Sequence, residues 1–133
     1  MRLFDRLSPA FGALGLLQSI RNRTMTDKAE AIRKLNDDLR VRGVGGRTMI
    51  TAGVAALGQE AVAAIGQAVS TYDRFDGSND PNGEHDFGQL RVEEETIYFK
   101  IDYYDKALCM HSPDPADPGV TERVMTMMLA AEY

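Results

Sequence analysis

Phe87-Gly-Gln-Leu-Arg-Val-Glu-Glu-Glu-Thr-Ile-Tyr-Phe-Lys-Ile-Asp-Tyr-Tyr104 is the stretch that decides the fold class. In its second half Ile97, Phe99, Ile101 and Tyr103 alternate with Tyr98, Lys100, Asp102 and Tyr104. That period of two belongs to a strand buried on one face. Phe87 to Val92 is its partner strand, and Glu93-Glu94-Glu95 marks the turn of a hairpin. Three glutamates at the tip discourage edge-to-edge aggregation.

Outward from the hairpin lie two polar loops. Residues 73–86 are rich in Gly, Pro, Asn and Asp, and residues 111–118 hold three prolines. Neither can be helix or central strand. Ahead of them the spacing of Ile32, Leu35 and Leu39 predicts a helix from Asp27 to Arg42, with Thr24 and Asp27 as a capping box and Gly43, Gly45 and Gly46 as the stop. A short strand is expected at 47–51. Val62, Ile65, Val69 and Tyr72 predict a second helix over 58–72. After the proline loop, Asp117 and Pro118 read as cap and first turn of a last helix to Glu132, with Val120, Val124, Met127, Met128 and Ala131 inward. The expected class is α+β: one domain, order α-β-α-β-β-α, with helices packed on a small antiparallel sheet.

The length of 133 residues suits one domain. A single cysteine, Cys109, excludes an internal disulfide, and it is expected to be a partly buried structural thiol in a reducing cytoplasm. No apolar run approaches the roughly 18 residues of a membrane span. Residues 1–24 differ in character from the rest and are expected to be an extension, either a short helix or an upstream translated segment. The globular domain is then 25–133.

Charge is unevenly distributed. Residues 1–50 carry a net +5 and residues 51–133 a net -10. Such asymmetry points to a charged partner. The acidic half suits a protein with a basic surface. Lys28, Arg33, Lys34, Arg40, Arg42 and Arg47 offer a basic patch for nucleic acid. The acidic isoelectric point near 5.0 works against that reading through long-range repulsion.

The hairpin also places the candidate site. In an antiparallel pair the start of the first strand lies beside the end of the second. Glu84, His85 and Asp86 are therefore expected near Tyr104 and Asp105, with Asp102, His111 and Asp114 close by. His85 and His111 with carboxylates would make a nitrogen and oxygen donor set for a divalent metal, though no recognised ligand spacing supports it and no cofactor is expected. Ser78, Asp80, Asn82 and Gly83 imitate part of a calcium loop that lacks its closing glutamate. Asp and Asn making side-chain turns is the plainer account. Asp102 is expected to pair with Arg91 across the hairpin. Phosphate-binding glycine motifs and a serine nucleophile elbow are absent.

Met25-Thr-Asp27, Gly53-Val-Ala-Ala-Leu57, Gly83-Glu-His-Asp-Phe-Gly88, Lys100-Ile-Asp-Tyr-Tyr-Asp105, Ser112-Pro-Asp-Pro-Ala-Asp-Pro118 and Met128-Leu-Ala-Ala-Glu-Tyr133 carry a resemblance. Over 25–133 the chain resembles an uncharacterised bacterial family, mainly alphaproteobacterial and often plasmid- or mobile-element-borne. The resemblance implies no catalytic residues. It implies an accessory role, such as an inhibitor or regulator of counter-defence type. The expected function is a small interaction protein acting through its acidic surface. The alternatives are a metal-assisted or acid/base enzyme using His85, Asp86, Asp105 and His111, and a nucleic-acid-binding regulator using the basic first helix.

Overall fold

The structure is a computed structural model that describes residues 12–133, with side chains from Asp27 onward. The chain forms α1 (Gly12–Arg42), β1 (Arg47–Ile50), α2 (Ala52–Ala55), α3 (Gln59–Ser70), β2 (Phe87–Val92), β3 (Glu95–Tyr104) and β4 (Glu122–Leu129), and closes with a 3-10 turn, Ala130–Glu132. The strands make one sheet in the order β1-β4-β3-β2. The α+β class holds, with helices on the sheet. The sheet is mixed rather than antiparallel, because β1 runs parallel to β4.

The hairpin lies where the alternation places it, in the register Leu90↔Ile97 and Val92↔Glu95. Glu93 and Glu94 both adopt the left-handed conformation, at φ 51 and 72. A two-residue turn of that hand matches the twist of the strands. Ile97, Phe99, Ile101 and Tyr103 are buried together with Ile32, Leu39, Val54, Ile65, Val69, Met125 and Met127. Gly88 stands opposite Phe99, and a Cβ there would come within 2.3 Å of its ring. A side chain at that position would expel the aromatic packing of Phe99 against Tyr72, whose ring centroids are 5.3 Å apart.

The segment expected as the last helix is a strand. β4 pairs with β3 over Glu122–Leu129 and with β1 over Val124–Met127. Arg123, Met125 and Met127 alternate as buried residues, and Met128 beside them is buried as well. The inward arginine hid that period, because a charged residue reads as outward-facing. Val124, Met127, Met128 and Ala131 also fit a helical stripe, and a short apolar run cannot settle the choice by periodicity alone. Two flanking strands decide it. Asp117 accordingly caps a turn, accepting from the Gly119 amide at 2.8 Å, and starts no helix.

α1 starts at Gly12, so the backbone is helical through Thr24 and Asp27 and no capping box forms there. The expected extension 1–24 lies outside the described residues over 1–11. α1 buries Ile32, Asn36, Leu39 and Arg40 and stops at Gly43, which has φ 69. α2 follows β1 directly. Thr51 caps it, and Glu132 clamps it by accepting from the Thr51 hydroxyl (2.6 Å) and the Gly53 and Leu129 amides (both 2.9 Å). Those bonds, the Thr51 hydroxyl foremost, hold the Glu132 carboxyl below its ordinary value. Among the described residues no helix is long and apolar enough to cross a membrane.

Candidate functional site

Two polar arrangements meet at the end of the sheet where β2 begins and β3 ends. One is a buried seam under α1. The other is an open hollow beyond it.

The seam centres on Asn36, which is fully buried. Its amide donates to the Glu84 carbonyl at 2.9 Å and to the Tyr103 hydroxyl at 2.8 Å. Its carbonyl accepts from Arg123 Nε at 2.7 Å. Tyr103 in turn donates to Glu84 Oε1 at 2.8 Å. Arg123 also donates to the Pro115 carbonyl and lies over the Tyr103 ring at 5.2 Å. Burial, and the bond to Glu84 beside it, push the Tyr103 phenol well above its ordinary value. Buried polar groups of this kind persist when partnered, and each bond here joins a different segment of the chain.

His85 belongs to the same side. Its Nδ1 lies 2.8 Å from Asp37 Oδ1, which also accepts from Arg40 at 3.0 Å. Its Nε2 lies 3.7 Å from Asp80 Oδ2, and its backbone amide donates to Asp80 Oδ1 at 3.1 Å. The imidazole is stacked on Phe75 with ring centroids 3.8 Å apart. Arg40 lies over the same Phe75 ring and over Phe99, and donates to the Val69 and Tyr72 carbonyls at 3.2 and 2.8 Å. His85 thus holds the loop 73–86 against α1. His85 has φ 56, a backbone region that non-glycine residues enter at an energetic cost.

The hollow has a volume of about 400 Å³ and is lined by Asp86, Ile101, Asp102, Tyr103, Tyr104, Cys109, Met110 and His111. The Ile101 amide donates to the Asp86 carbonyl at 2.8 Å, and His111 bridges to Tyr104. Four of the residues expected from the hairpin geometry, Asp86, Asp102, Tyr104 and His111, therefore share one cavity. Burial raises the Asp86 carboxyl above its ordinary value, and the carboxylates of Glu84, Asp80 and Asp102 push it the same way against a backbone hydrogen bond that lowers it. Asp102 is paired with Lys100, Nζ to Oδ2 at 3.0 Å, and not with Arg91, which stands opposite Thr96. Lys and Asp two residues apart share one face of β3, which puts them in reach.

The other expected residues have local duties. Glu84 belongs to the seam. Asp105 accepts from the Cys109 and Met110 amides at 2.9 and 3.3 Å, which holds its carboxyl below the usual range. Asp114 accepts from the Ala116 amide at 3.1 Å and pairs with Lys28 at 3.4 Å. Cys109 is exposed rather than partly buried. His85, Asp86, Asp105 and His111 do not form one cluster, since His85 faces Asp37 and Asp80 while Asp86 and His111 face the hollow. Among the described residues no group of three His, Cys, Asp or Glu side chains is placed to hold a metal. In the loop resembling a calcium site, Asp76 instead accepts from the Ser78 and Asn79 amides at 2.8 and 3.1 Å.

The basic residues of α1 and the start of β1 are largely engaged. Arg40 is buried, Arg33 donates to the Gly83 carbonyl at 3.0 Å, Arg42 pairs with Asp38 at 2.9 Å, and Arg47 lies 3.8 Å from Glu122. Asn36, Asp37 and Arg123 escaped the reading of the sequence, and Arg40 was read only as part of a basic patch. Their one signal was polarity on otherwise apolar faces of α1 and β4.

No curated protein and no solved structure matches the chain. A family profile matches residues 50–132, which hold all four strands but Arg47–Met49, both arrangements apart from their α1 residues, and the clamp of Glu132. The chain belongs to this family, DUF3768, described as proteins of unknown function.

Proposed function

We propose that this protein is an interaction module of the cytoplasm that receives a lysine or arginine side chain of a basic partner in the Asp86 hollow. The observation that supports this reading is the surplus of negative charge there. Asp86 is half-buried, and Glu84, Asp80 and Asp102 all push its carboxyl upward. A carboxylate kept among anions is destabilised until a cation reaches it. Tyr104 supplies an aromatic ring that attracts a cation, and exposed Met110 offers apolar contact for the stem of a long side chain. An inhibitor or regulator carried by a mobile element fits this reading, because covering a basic surface requires no catalytic group.

The test is calorimetry and amide NMR with short peptides containing one arginine or lysine, and with acidic peptides as control. Binding confined to the basic peptides, weakened roughly 10- to 100-fold by Asp86→Asn, is the expected result. Equal binding of both peptide classes, or none, would refute it. The acid/base enzyme is a second reading, favoured only by the raised Asp86 carboxyl beside His111. It requires turnover of a bound molecule that stops with Asp86→Asn.

A further inference from the structure

We propose that two copies of the chain join through the edge of β1, free among the described residues, continuing the sheet across a two-fold axis. The two edges of the sheet are built differently. β2 presents exposed Gln89 and Arg91 and ends at exposed Glu93 and Glu94. Polar and charged groups of this kind guard an edge against pairing. β1 presents Met49 and Ile50, 53% and 38% exposed, with Val44 exposed just before them. An apolar hollow lined by Ile50, Ala55, Gly58, Val62 and Ala63 lies beside it.

Backbone direction and charge select a second copy as the occupant. The Thr51 amide donates to the Met127 carbonyl at 3.2 Å, so Arg47, Met49 and Thr51 turn their backbone groups toward β4. Thr48 and Ile50 therefore turn theirs outward. In an antiparallel pair, the residues with outward groups exchange both bonds with each other. A two-fold axis at Met49 satisfies this: Thr48 of one copy meets Ile50 of the other, and Met49 meets Met49. The same register sets Arg47 of one copy opposite Thr51 of the other. Thr51 holds the Glu132 carboxylate at 2.6 Å, and that carboxylate is kept ionised by its bonds. Arg47, 58% exposed at its side chain and only loosely placed at 3.8 Å from Glu122, is free to swing to it. The axis produces this complementary pair twice.

The full chain is tested by sedimentation across a range of concentration, and by cysteine cross-linking in a Cys109→Ser background. A species of twice 14.7 kDa is expected, and Arg47→Glu should weaken its formation by about tenfold. Met49→Cys places two thiols on the axis, within disulfide distance. It should cross-link at least about tenfold faster than Thr48→Cys or Ile50→Cys, which lie off the axis. Thermal melts of each variant report that the monomer is folded. A folded monomer up to the solubility limit overturns the proposal. So does fastest cross-linking at residue 48 or 50, which would mean another register.

Discussion

Replacing Asn36 with alanine removes a side chain that joins α1, the 73–86 loop, β3 and β4. Three hydrogen bonds of 2.7–2.9 Å are lost at a fully buried position. Arg123 Nε and the Glu84 carbonyl are left without these partners, while the Tyr103 hydroxyl keeps its bond to Glu84. An orphaned buried group costs about 1–3 kcal/mol, and more when charged. The loss should therefore be about 4 kcal/mol, a large share of the roughly 5–15 kcal/mol of a typical domain. With a urea slope of about 2 kcal/mol per molar, the midpoint should fall by about 2 M. Urea unfolding followed by circular dichroism measures it. A loss below about 1 kcal/mol would refute the seam as a fold determinant. A double-mutant cycle with Tyr103→Phe should show strong non-additivity, since the two side chains share a bond.

Further outcomes follow from close contacts and charges. Gly88→Ala drives a methyl group into Phe99 and should destabilise by about 1–3 kcal/mol, read as a lower melting temperature. Glu132 has its folded pKa depressed, so the stability of its clamp is present above the ordinary carboxylate value and is lost as pH falls through the folded one. Glu132→Gln should thus melt lower than the parent at neutral pH, with the gap closing in acid. Asp86 has the opposite sign. Its folded pKa is raised, so it withdraws stability as pH rises through that value. Asp86→Asn should melt higher than the parent at neutral pH, and this gain should vanish on acidification. A melt unchanged by Asp86→Asn would contradict the surplus of negative charge.

Much of this architecture was legible locally. The hairpin Phe87–Tyr104 carries its own alternation, although the turn expected at Glu93-Glu94-Glu95 is two residues long because Glu95 pairs with Val92. The hairpin geometry also brought Asp86, Asp102, Tyr104 and His111 into one hollow. β4 was not legible, because Glu122–Leu129 is a strand by virtue of its neighbours on both sides. Strand preference depends on such packing more than on the residue itself. The seam was hidden for a similar reason. Asn36 and Arg123 lie 87 residues apart, and nothing near either names the other. Arg40 reads as a solvated lysine-like charge in a helix, yet it is 7% exposed and lies over Phe75 and Phe99. An arginine can be buried in this way when its guanidinium finds carbonyls, a carboxylate and aromatic faces.

The account turns on whether the surplus charge at Asp86 is there to receive a cation. Titrating labelled protein with an arginine-containing peptide tests this most directly, with the Tyr104 and His111 amides as reporters. Saturable shifts at those residues, reduced by added salt and lost with Asp86→Asn, are the predicted result. Shifts that persist unchanged in Asp86→Asn, or that fall elsewhere on the molecule, would contradict it.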